Sequence, residues 1–189
     1  MSSPRTGAVP FELPIGGSLE RSGPMDRADV DRLVLQSFDE HARGLRRYVE
    51  SFGLQRNAAE DIVQEAYLSL FRHLQLGRPA THLKAWLFRV GHNLALKHRA
   101  RARRWQAGAS PAVLVDPAAG VDVRMEDAER RRRLQAVVRA LPERDRRCLS
   151  LRAEGLSYRD IADVLGISTG SVAASLARAF ARLARSEGR

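Results

Sequence analysis

The sequence holds few of the residues that build disulfides and metal sites. Cys148 is the only cysteine among 189 residues, so no internal disulfide can form, and a reducing compartment fits best. The helical pattern around "RRCLSL" predicts that Cys148 is a small buried hydrophobe rather than a nucleophile. No two of the five histidines lie three or four residues apart, so the sequence supports neither a metal site nor a metal cofactor.

Long apolar runs are also lacking. No run approaches the roughly 20 residues that a membrane span requires, and Pro10, Glu12 and Pro14 interrupt the apolar residues near the start. We therefore expect no secretory signal, no membrane insertion and a cytoplasmic location. What the chain has instead is basic charge, a formal net of +10. This balance indicates a polyanionic partner such as nucleic acid, or an acidic lipid surface.

Helical spacing of apolar residues dominates the chain, and no segment alternates as a strand does. An all-α protein with two small helical domains is therefore predicted. Residues 1–25, rich in proline and glycine, are predicted to form a flexible tail before a first domain at 26–104. Residues 105–124 combine proline and glycine with little charge and are predicted to be a flexible linker, followed by a second domain at 125–189.

The first domain is predicted to begin with two helices of different character. The first starts near Val34 and is closed by Gly53, and the second starts at Asn57 with Glu60 as a capping-box signal. On the second helix, one stripe is apolar and predicted to face the core: Val63, Ala66, Tyr67, Leu70, Phe71 and Leu74. The opposite stripe is Asp61, Gln64, Glu65 and Leu68. It lacks a third ligand or a histidine for metal or acid–base chemistry, so a solvated face and a docking surface for a basic protein remain open.

A third helix follows the break "LGRPATH", where Gly77 and Pro79 prevent a continuous helix. Its predicted core positions are Leu83, Trp86, Leu87, Val90 and Leu94. Its outer ridge is mostly basic: Arg89, Asn93, Lys97, Arg101 and Arg104.

The second domain contains "LSYRDIADVLGISTGSVAASLARAF", which fits a helix-turn-helix. Ser157 with Asp160 is predicted to cap its first helix, Gly166 to form a left-handed turn, and Ser168 or Thr169 to cap the second helix. Ala162 is predicted to be the small residue where the two helices touch, and the predicted shared core is Ile161, Leu165, Ile167, Val172 and Leu176. In this motif the second helix enters the major groove of DNA, and its small side chains here would allow a close backbone approach.

Three stretches together resemble a known family: "AEDIVQEAYLSLFRHL", "LKAWLFRVGHNLALKHRARARR" and "LPERDRRCLSLRAEGLSYRDIADVLGIS". They are similar to conserved regions two and four of bacterial sigma factors, and the short two-domain plan resembles the extracytoplasmic-function (ECF) group. The resemblance covers about residues 34–104 and 129–185. It implies a dissociable, non-enzymatic subunit that binds core RNA polymerase, directs it to promoters and helps to melt the duplex. An anti-sigma partner is usual in this group and is expected here, whereas a small-molecule substrate is not.

The resemblance also implies roles for individual residues. Those matched to the surface that docks on the clamp helices of the largest polymerase subunit are Asp61, Gln64, Glu65 and Leu68. Those matched to the loop and helix that hold the minus-ten element, with a flipped base, are Arg78, Thr81, His82, Lys84, Arg89, Asn93, Lys97 and Arg101. Those matched to contacts with the minus-thirty-five duplex are Ser157, Tyr158, Arg159, Thr169, Ser171, Ser175 and Arg178.

Two features qualify these assignments. Ala173, Ser175 and Phe180 stand where relatives often carry basic residues, which leaves Arg178 as the main matched base reader. His82 and Trp86 are both candidates for stacking on a flipped base, although Trp86 is expected in the core. Shape and water are therefore expected to supply much of the promoter discrimination.

Two other functions compete with this interpretation. A helix-turn-helix regulator that acts without polymerase would explain the second domain but not the acidic stripe beside a basic helix. An enzyme acting on nucleic acid would need clustered carboxylates, metal ligands or an activated nucleophile, and the sequence offers none of these.

Overall fold

Residues 26–79, 81–106 and 125–187 are described by the computed structural model. Within these ranges there are seven helices and no strand, which confirms the predicted all-α class. The helices are α1 (Arg27–Glu50), α2 (Arg56–Gln75), α3 (Leu83–Gln106), α4 (Met125–Arg139), α5 (Glu143–Ala153), α6 (Tyr158–Leu165) and α7 (Thr169–Glu187). The predicted tail and residues 107–124 of the predicted linker lie outside the described ranges, and α3 extends two residues into that linker.

Helices α1, α2 and α3 pack together as an N-terminal bundle. The apolar stripe predicted for α2 faces the core, with Leu70 and Ala66 fully buried. Two tyrosine hydroxyls are satisfied across the bundle, since Tyr67 donates to the carbonyl of Ser37 at 2.8 Å and the Tyr48 hydroxyl lies 2.7 Å from His92 Nδ1. Burial of polar groups is offset in this way by hydrogen bonds that tie α1 to α2 and α3.

The start of α2 differs from the prediction. The helix begins at Arg56 after Gln55, whose side chain makes no capping hydrogen bond, so the capping box predicted at Asn57 and Glu60 is wrong. Glu60 instead accepts a hydrogen bond from Arg56 Nε at 3.0 Å, one turn away. This pair of opposite charges on successive turns replaces the cap as the local contact at the start of the helix.

Helices α4 to α7 form a C-terminal bundle in which α7 contacts α4, α5 and α6. Ser157 and Asp160 form the predicted capping box, with Ser157 Oγ accepting from the Asp160 amide at 3.1 Å. Gly166 adopts the predicted left-handed conformation (φ 64°), and Ser168 Oγ accepts from the Ser171 amide at 3.2 Å at the start of α7. These contacts and the buried core of α6 and α7 make the pair a helix-turn-helix.

The two bundles also pack against each other, because α6 lies against α3. Cys148 of α5 is fully buried, as predicted, and belongs to the same continuous apolar cluster as Leu45 of α1 and Leu87 of α3. No single helix in the described part of the chain is long and apolar enough to cross a membrane. Taken together, α6 and α7 have the length and composition that a membrane span requires, but the pair is bent by 104° at the break between the two helices.

Candidate functional site

The stripe predicted to dock on polymerase lies on one exposed face of α2. Asp61, Gln64 and Glu65 are exposed, and Leu68 leaves 56% of its surface in contact with solvent. An apolar side chain beside two carboxylates suits a partner that is both basic and partly apolar. No group of three or more metal-ligating side chains occurs among the described residues, and the stripe is therefore not part of such a group.

The side chains on the outer ridge of α3 change from half-buried to exposed along the helix. Arg89 and Asn93 are half-buried, whereas Lys97 and Arg101 are exposed. Residues at this spacing share one helix face, so the exposed cations form a row that can follow a phosphate backbone. Lys84, at the start of α3, is half-buried and lies close to Gly155 of the other bundle.

The loop before α3 presents its predicted DNA contacts to solvent. Arg78 and Thr81 are exposed, and the His82 side chain is 81% exposed in the left-handed conformation at φ 56°. Left-handed backbone is uncommon for a residue with a side chain, and it aims His82 away from the bundle core. The His82 ring does lie 4.0 Å from a carboxylate oxygen of Asp160 on α6.

Trp86, the other candidate for stacking, packs inside the N-terminal bundle. It is half-buried, and its ring centroid lies 4.9 Å from that of His73. The His73 Nε2 atom is 3.1 Å from the Pro79 carbonyl, and burial lowers the pKa of this imidazole. Trp86 therefore packs against His73, which contacts the loop at Pro79, and this agrees with the core position expected for Trp86.

On the helix-turn-helix, the predicted minus-thirty-five contacts divide into exposed and engaged groups. Tyr158, Arg159 and Thr169 are exposed, with the Arg152 guanidinium 5.9 Å from the centre of the Tyr158 ring. Ser157 Oγ is held by Asp160 at 2.6 Å, and Ser171 Oγ lies 2.9 Å from Ser168 Oγ. The Ser157 and Ser168 hydroxyls cap α6 and α7, and Ser171 Oγ is engaged by the second of them.

Ser175 and Arg178 differ most from the expectation of free DNA contacts. Ser175 is fully buried, contrary to the prediction that it faces DNA. Arg178 donates from Nε and Nη2 to both carboxylate oxygens of Asp145, at 3.1 and 2.8 Å, and from Nη2 to Ser175 Oγ at 3.1 Å. The Asp145 side chain is only 3% exposed, and its hydrogen bonds with Arg178 hold the pKa of the carboxyl below its usual value. Arg178 thus joins α7 to α5, although 56% of its side chain still contacts solvent.

Comparison with known proteins matches the N-terminal and C-terminal bundles to two family models, in the order along the chain that the sequence predicts. Residues 38–105 match the family model described as Sigma-70 region 2, and residues 131–183 match the one described as Sigma-70, region 4. The RNA polymerase sigma-H factor of Pseudomonas aeruginosa is 31% identical over 173 residues, covering 85% of this chain and 87% of the relative. The ECF RNA polymerase sigma factor SigM of Mycobacterium tuberculosis is 30% identical over 161 residues, covering 85% and 78%. The chain belongs to the ECF sigma factor family.

Solved structures share the fold of this sigma factor. The sigma factor RpoE from Bartonella quintana, in complex with the anti-sigma factor NepR, matches with a TM-score of 0.61 at 24% identity, covering 82% of this chain and 96% of that one. CnrH in complex with the cytosolic domain of CnrY matches with a TM-score of 0.56 at 23% identity, covering 85% and 95%. At this identity the likeness is one of fold alone.

Three residues of this sigma factor shape the site without having been identified from its sequence. Asp145 fixes Arg178, Glu154 reaches Arg47 of the other bundle, and His92 bonds Tyr48 in the core. Asp145 and Glu154 lie in helical or turn segments with many charges, where a solvated side chain is the default. Only contacts between residues distant in sequence distinguish them, and local spacing carries no such signal.

Proposed function

We propose that this chain binds core RNA polymerase through the exposed stripe of α2 and promoter DNA through α3 and the helix-turn-helix. The observation that carries the proposal is membership of the ECF sigma factor family through both regions. An exposed acidic stripe in a chain of net charge +10 supports the assignment of polymerase to α2 and of DNA to the other surfaces, because carboxylates repel DNA and attract a basic protein surface. The chain itself performs no catalysis in this proposal and acts in the cytoplasm, where polymerase is found.

The minus-ten element is assigned to the loop and the outer ridge of α3. Exposed Lys97 and Arg101 would neutralise phosphates, while the solvent-facing His82 would stack on a base taken out of the duplex. Flipping costs a few kcal/mol per base, and stacking on a side chain offsets about 1–3 kcal/mol of it. Trp86 has no part in this step because its ring packs against His73.

The minus-thirty-five element is assigned to the start of α6 and the first half of α7. Thr169, Tyr158 and Arg159 are exposed there, and the small residues of α7 would let the backbone approach the groove. Because Ser175 is buried and Arg178 is bound to Asp145, little direct base reading is left. Groove shape and bridging water would supply the remaining discrimination. An anti-sigma protein is proposed as a further partner, supported by the complex with the anti-sigma factor NepR in which the structural neighbour RpoE was solved.

The deciding experiment reverses the charge of the α2 stripe. We expect the double variant Asp61→Arg, Glu65→Arg to lose co-purification with core polymerase, with at least a hundredfold weaker binding, because like charges would meet at the interface. The matched control is Asp31→Arg with Asp39→Arg, which makes the same change of charge at exposed positions of α1. Normal polymerase binding by the α2 variant, with its helical circular dichroism intact, would favour a regulator that acts on DNA alone.

A further inference from the structure

The loop between α2 and α3 leaves α2 through a hydrogen-bonded backbone turn. The Gly77 amide donates to the Leu74 carbonyl at 2.9 Å, and the Arg78 amide donates to the His73 carbonyl at 3.3 Å. Gly77 is in the left-handed conformation (φ 65°) with open space around it, so backbone conformation rather than crowding favours glycine there. The two hydrogen bonds and the left-handed glycine form a Schellman motif, which fixes the direction in which the chain leaves the helix.

The side chain of His73 extends this turn by one residue. Its Nε2 atom lies 3.1 Å from the Pro79 carbonyl oxygen. A carbonyl oxygen can only accept a hydrogen bond, so Nε2 carries the proton and donates it to Pro79. His73 therefore binds the loop twice, through its own carbonyl to the Arg78 amide and through its ring to Pro79. One residue of α2 thus holds two consecutive residues of the loop.

The same ring also contacts the start of α3. Its centroid lies 4.9 Å from that of the Trp86 ring, and the two planes are inclined by 44°. The Trp86 amide in turn donates to the His82 carbonyl at 3.0 Å, at the other end of the loop. His82 is in the left-handed conformation, which a residue with a side chain keeps only where its surroundings hold it. The two ends of the loop are therefore both connected to His73.

Burial of these contacts strengthens them. The His73 ring is half-buried, as are Pro79 and Trp86, whereas Arg78 and His82 are exposed. A hydrogen bond that is partly shielded from water is electrostatically stronger than one in full contact with solvent. Burial also lowers the pKa of the His73 imidazole, which favours the neutral ring. The bonded atoms thus lie beneath exposed side chains that remain accessible to DNA.

We propose that His73 is a positioning residue for the minus-ten element, and that its hydrogen bond to Pro79 holds the loop in the form that captures a base. The loop geometry rests on the contacts above, whereas its effect on base capture rests on the proposed function. A loop that is held in the binding conformation before DNA arrives loses less conformational freedom on binding. Since discrimination between bases depends on a fixed shape of the site, a loosened loop should prefer one base less strongly over another.

Three substitutions at His73 separate the hydrogen bond from the ring contact. His73→Gln places an amide donor where the imidazole Nε2 lies but removes the ring. His73→Phe keeps a ring against Trp86 but removes the donor to Pro79. His73→Asn is the matched control for glutamine, because its shorter side chain places the amide where Nδ1 lies and falls short of Pro79.

Transcription from a mixed pool of promoters measures the effect on base capture. Core polymerase loaded with the full chain transcribes templates that are randomised at both elements, and a transcribed barcode identifies each template. We expect His73→Phe and His73→Asn to lower the base preference within the minus-ten element about threefold to tenfold, which corresponds to the loss of one hydrogen bond. His73→Gln should retain most of this preference, and the preference within the minus-thirty-five element should stay the same in all variants.

Three results would overturn the proposal. Equal minus-ten preference for the unmodified chain and His73→Phe would show that the donor does not position the loop. A preference for His73→Gln as low as that for His73→Asn would remove the hydrogen bond as the cause. An equal fall in preference at both elements would indicate a general loss of structure.

Hydrogen exchange of the chain without polymerase gives a second measurement. The Arg78 amide should exchange faster in His73→Phe and His73→Asn than in His73→Gln or the unmodified chain, while α2 and α3 stay equally protected in all four. The proposed function can fail separately, if the unmodified chain directs no transcription with core polymerase. Hydrogen exchange then decides the positioning alone, and equal exchange of the Arg78 amide in all four chains would overturn it.

Discussion

At the scale of single residues, Arg178 has a structural task that competes with base reading. Its guanidinium satisfies both oxygens of Asp145, a carboxylate almost completely removed from solvent. A buried carboxylate that loses its charged partner is costly, because the other side-chain donor to Asp145, the Ser175 hydroxyl, carries no charge. The orientation of α7 on α5 therefore depends on the same side chain that would be the main reader of the minus-thirty-five element.

We expect Arg178→Ala to lower the free energy of unfolding, because the buried carboxylate of Asp145 loses two hydrogen bonds and its charged partner. Urea unfolding of the full chain measures it, and Arg185→Ala, an exposed arginine of the same helix, is the control. Because the folded-state pKa of Asp145 is lowered, this stabilisation should be present above pH 4 and be lost as the pH falls below 4, through the folded-state pKa. If Arg178→Ala weakened duplex binding with no loss of stability, base reading alone would explain the residue.

His92 of α3 makes the stability of the protein depend on pH. It lies against Tyr48 of α1 and Phe52 in the turn after α1, and near Arg147 and Glu143 of α5. Burial, reinforced by the positive charge of Arg147, lowers the pKa of His92 to about 4 from the usual 6.5. The imidazole is therefore neutral in the folded protein over a range where it becomes protonated in the unfolded chain.

This difference predicts a loss of stability on acidification. The unfolded chain binds the extra proton between about pH 6.5 and about pH 4, so the free energy of unfolding should fall over that range by up to about 3 kcal/mol. The measurement is urea unfolding at half-unit pH steps. His92→Gln removes the titrating group and should flatten this part of the profile, and an unchanged profile would show that another group is responsible.

At the scale of secondary-structure elements, the capping box of α6 shows what a hydroxyl predicted to touch DNA does for the fold. We expect Ser157→Ala to lower the free energy of unfolding by about 1 kcal/mol, because the Asp160 amide loses its acceptor. Ser157→Thr keeps a capping oxygen and should retain most of the stability. The measurement is the midpoint of thermal unfolding for the unmodified chain, Ser157→Ala and Ser157→Thr. Equal midpoints for the unmodified chain and Ser157→Ala would argue against a capping role.

The helix-turn-helix could be predicted from sequence because its signals are local. Ser157 and Asp160 are three residues apart, and Gly166 lies between the two helices whose spacing defines the motif. The start of α2 was predicted wrongly because Asn57 and Glu60 have the spacing of a capping box, yet the helix begins one residue earlier. Such boundary shifts are set by tertiary packing, which can override a preference worth about 1 kcal/mol.

Contacts between distant residues had no comparable signal. Ser175 is small and polar at a position predicted to face DNA, but it is buried where α7 meets α5, beside the pair formed by Arg178 and Asp145. Arg47 and Glu154 are separated by 107 residues. Periodicity identifies which face of a helix is apolar, but it does not identify the element that covers it. The exposed stripe of α2 was readable from sequence, whereas the docking of the two bundles was not.

At the scale of the whole molecule, the stability of the N-terminal bundle and its contact with the C-terminal bundle place opposite demands on Gly44. Alanine at this position of α1 would favour the helix by up to about 1 kcal/mol relative to glycine. The same methyl group would lie 2.2 Å from Glu154 Oε2 and 3.0 Å from Glu154 Cδ, and would push the carboxylate away from Arg47. A substitution that stabilises one bundle should therefore weaken its contact with the other.

We expect Gly44→Ala to lengthen the distance between nitroxide labels placed at Asp39→Cys on α1 and Ala184→Cys on α7, both exposed positions, while hydrogen exchange in α1 stays equally slow or becomes slower. Gly91→Ala provides the contrast, because its added carbon would lie 2.8 Å from Leu45 Cδ1 inside the N-terminal bundle and should destabilise that bundle by about 1–3 kcal/mol through overpacking. If Gly44→Ala left the distance distribution unchanged, Glu154 could leave Arg47 without opening the junction. The apolar contacts of Leu151 and Leu156, rather than the ion pair of Arg47 and Glu154, would then hold the bundles together.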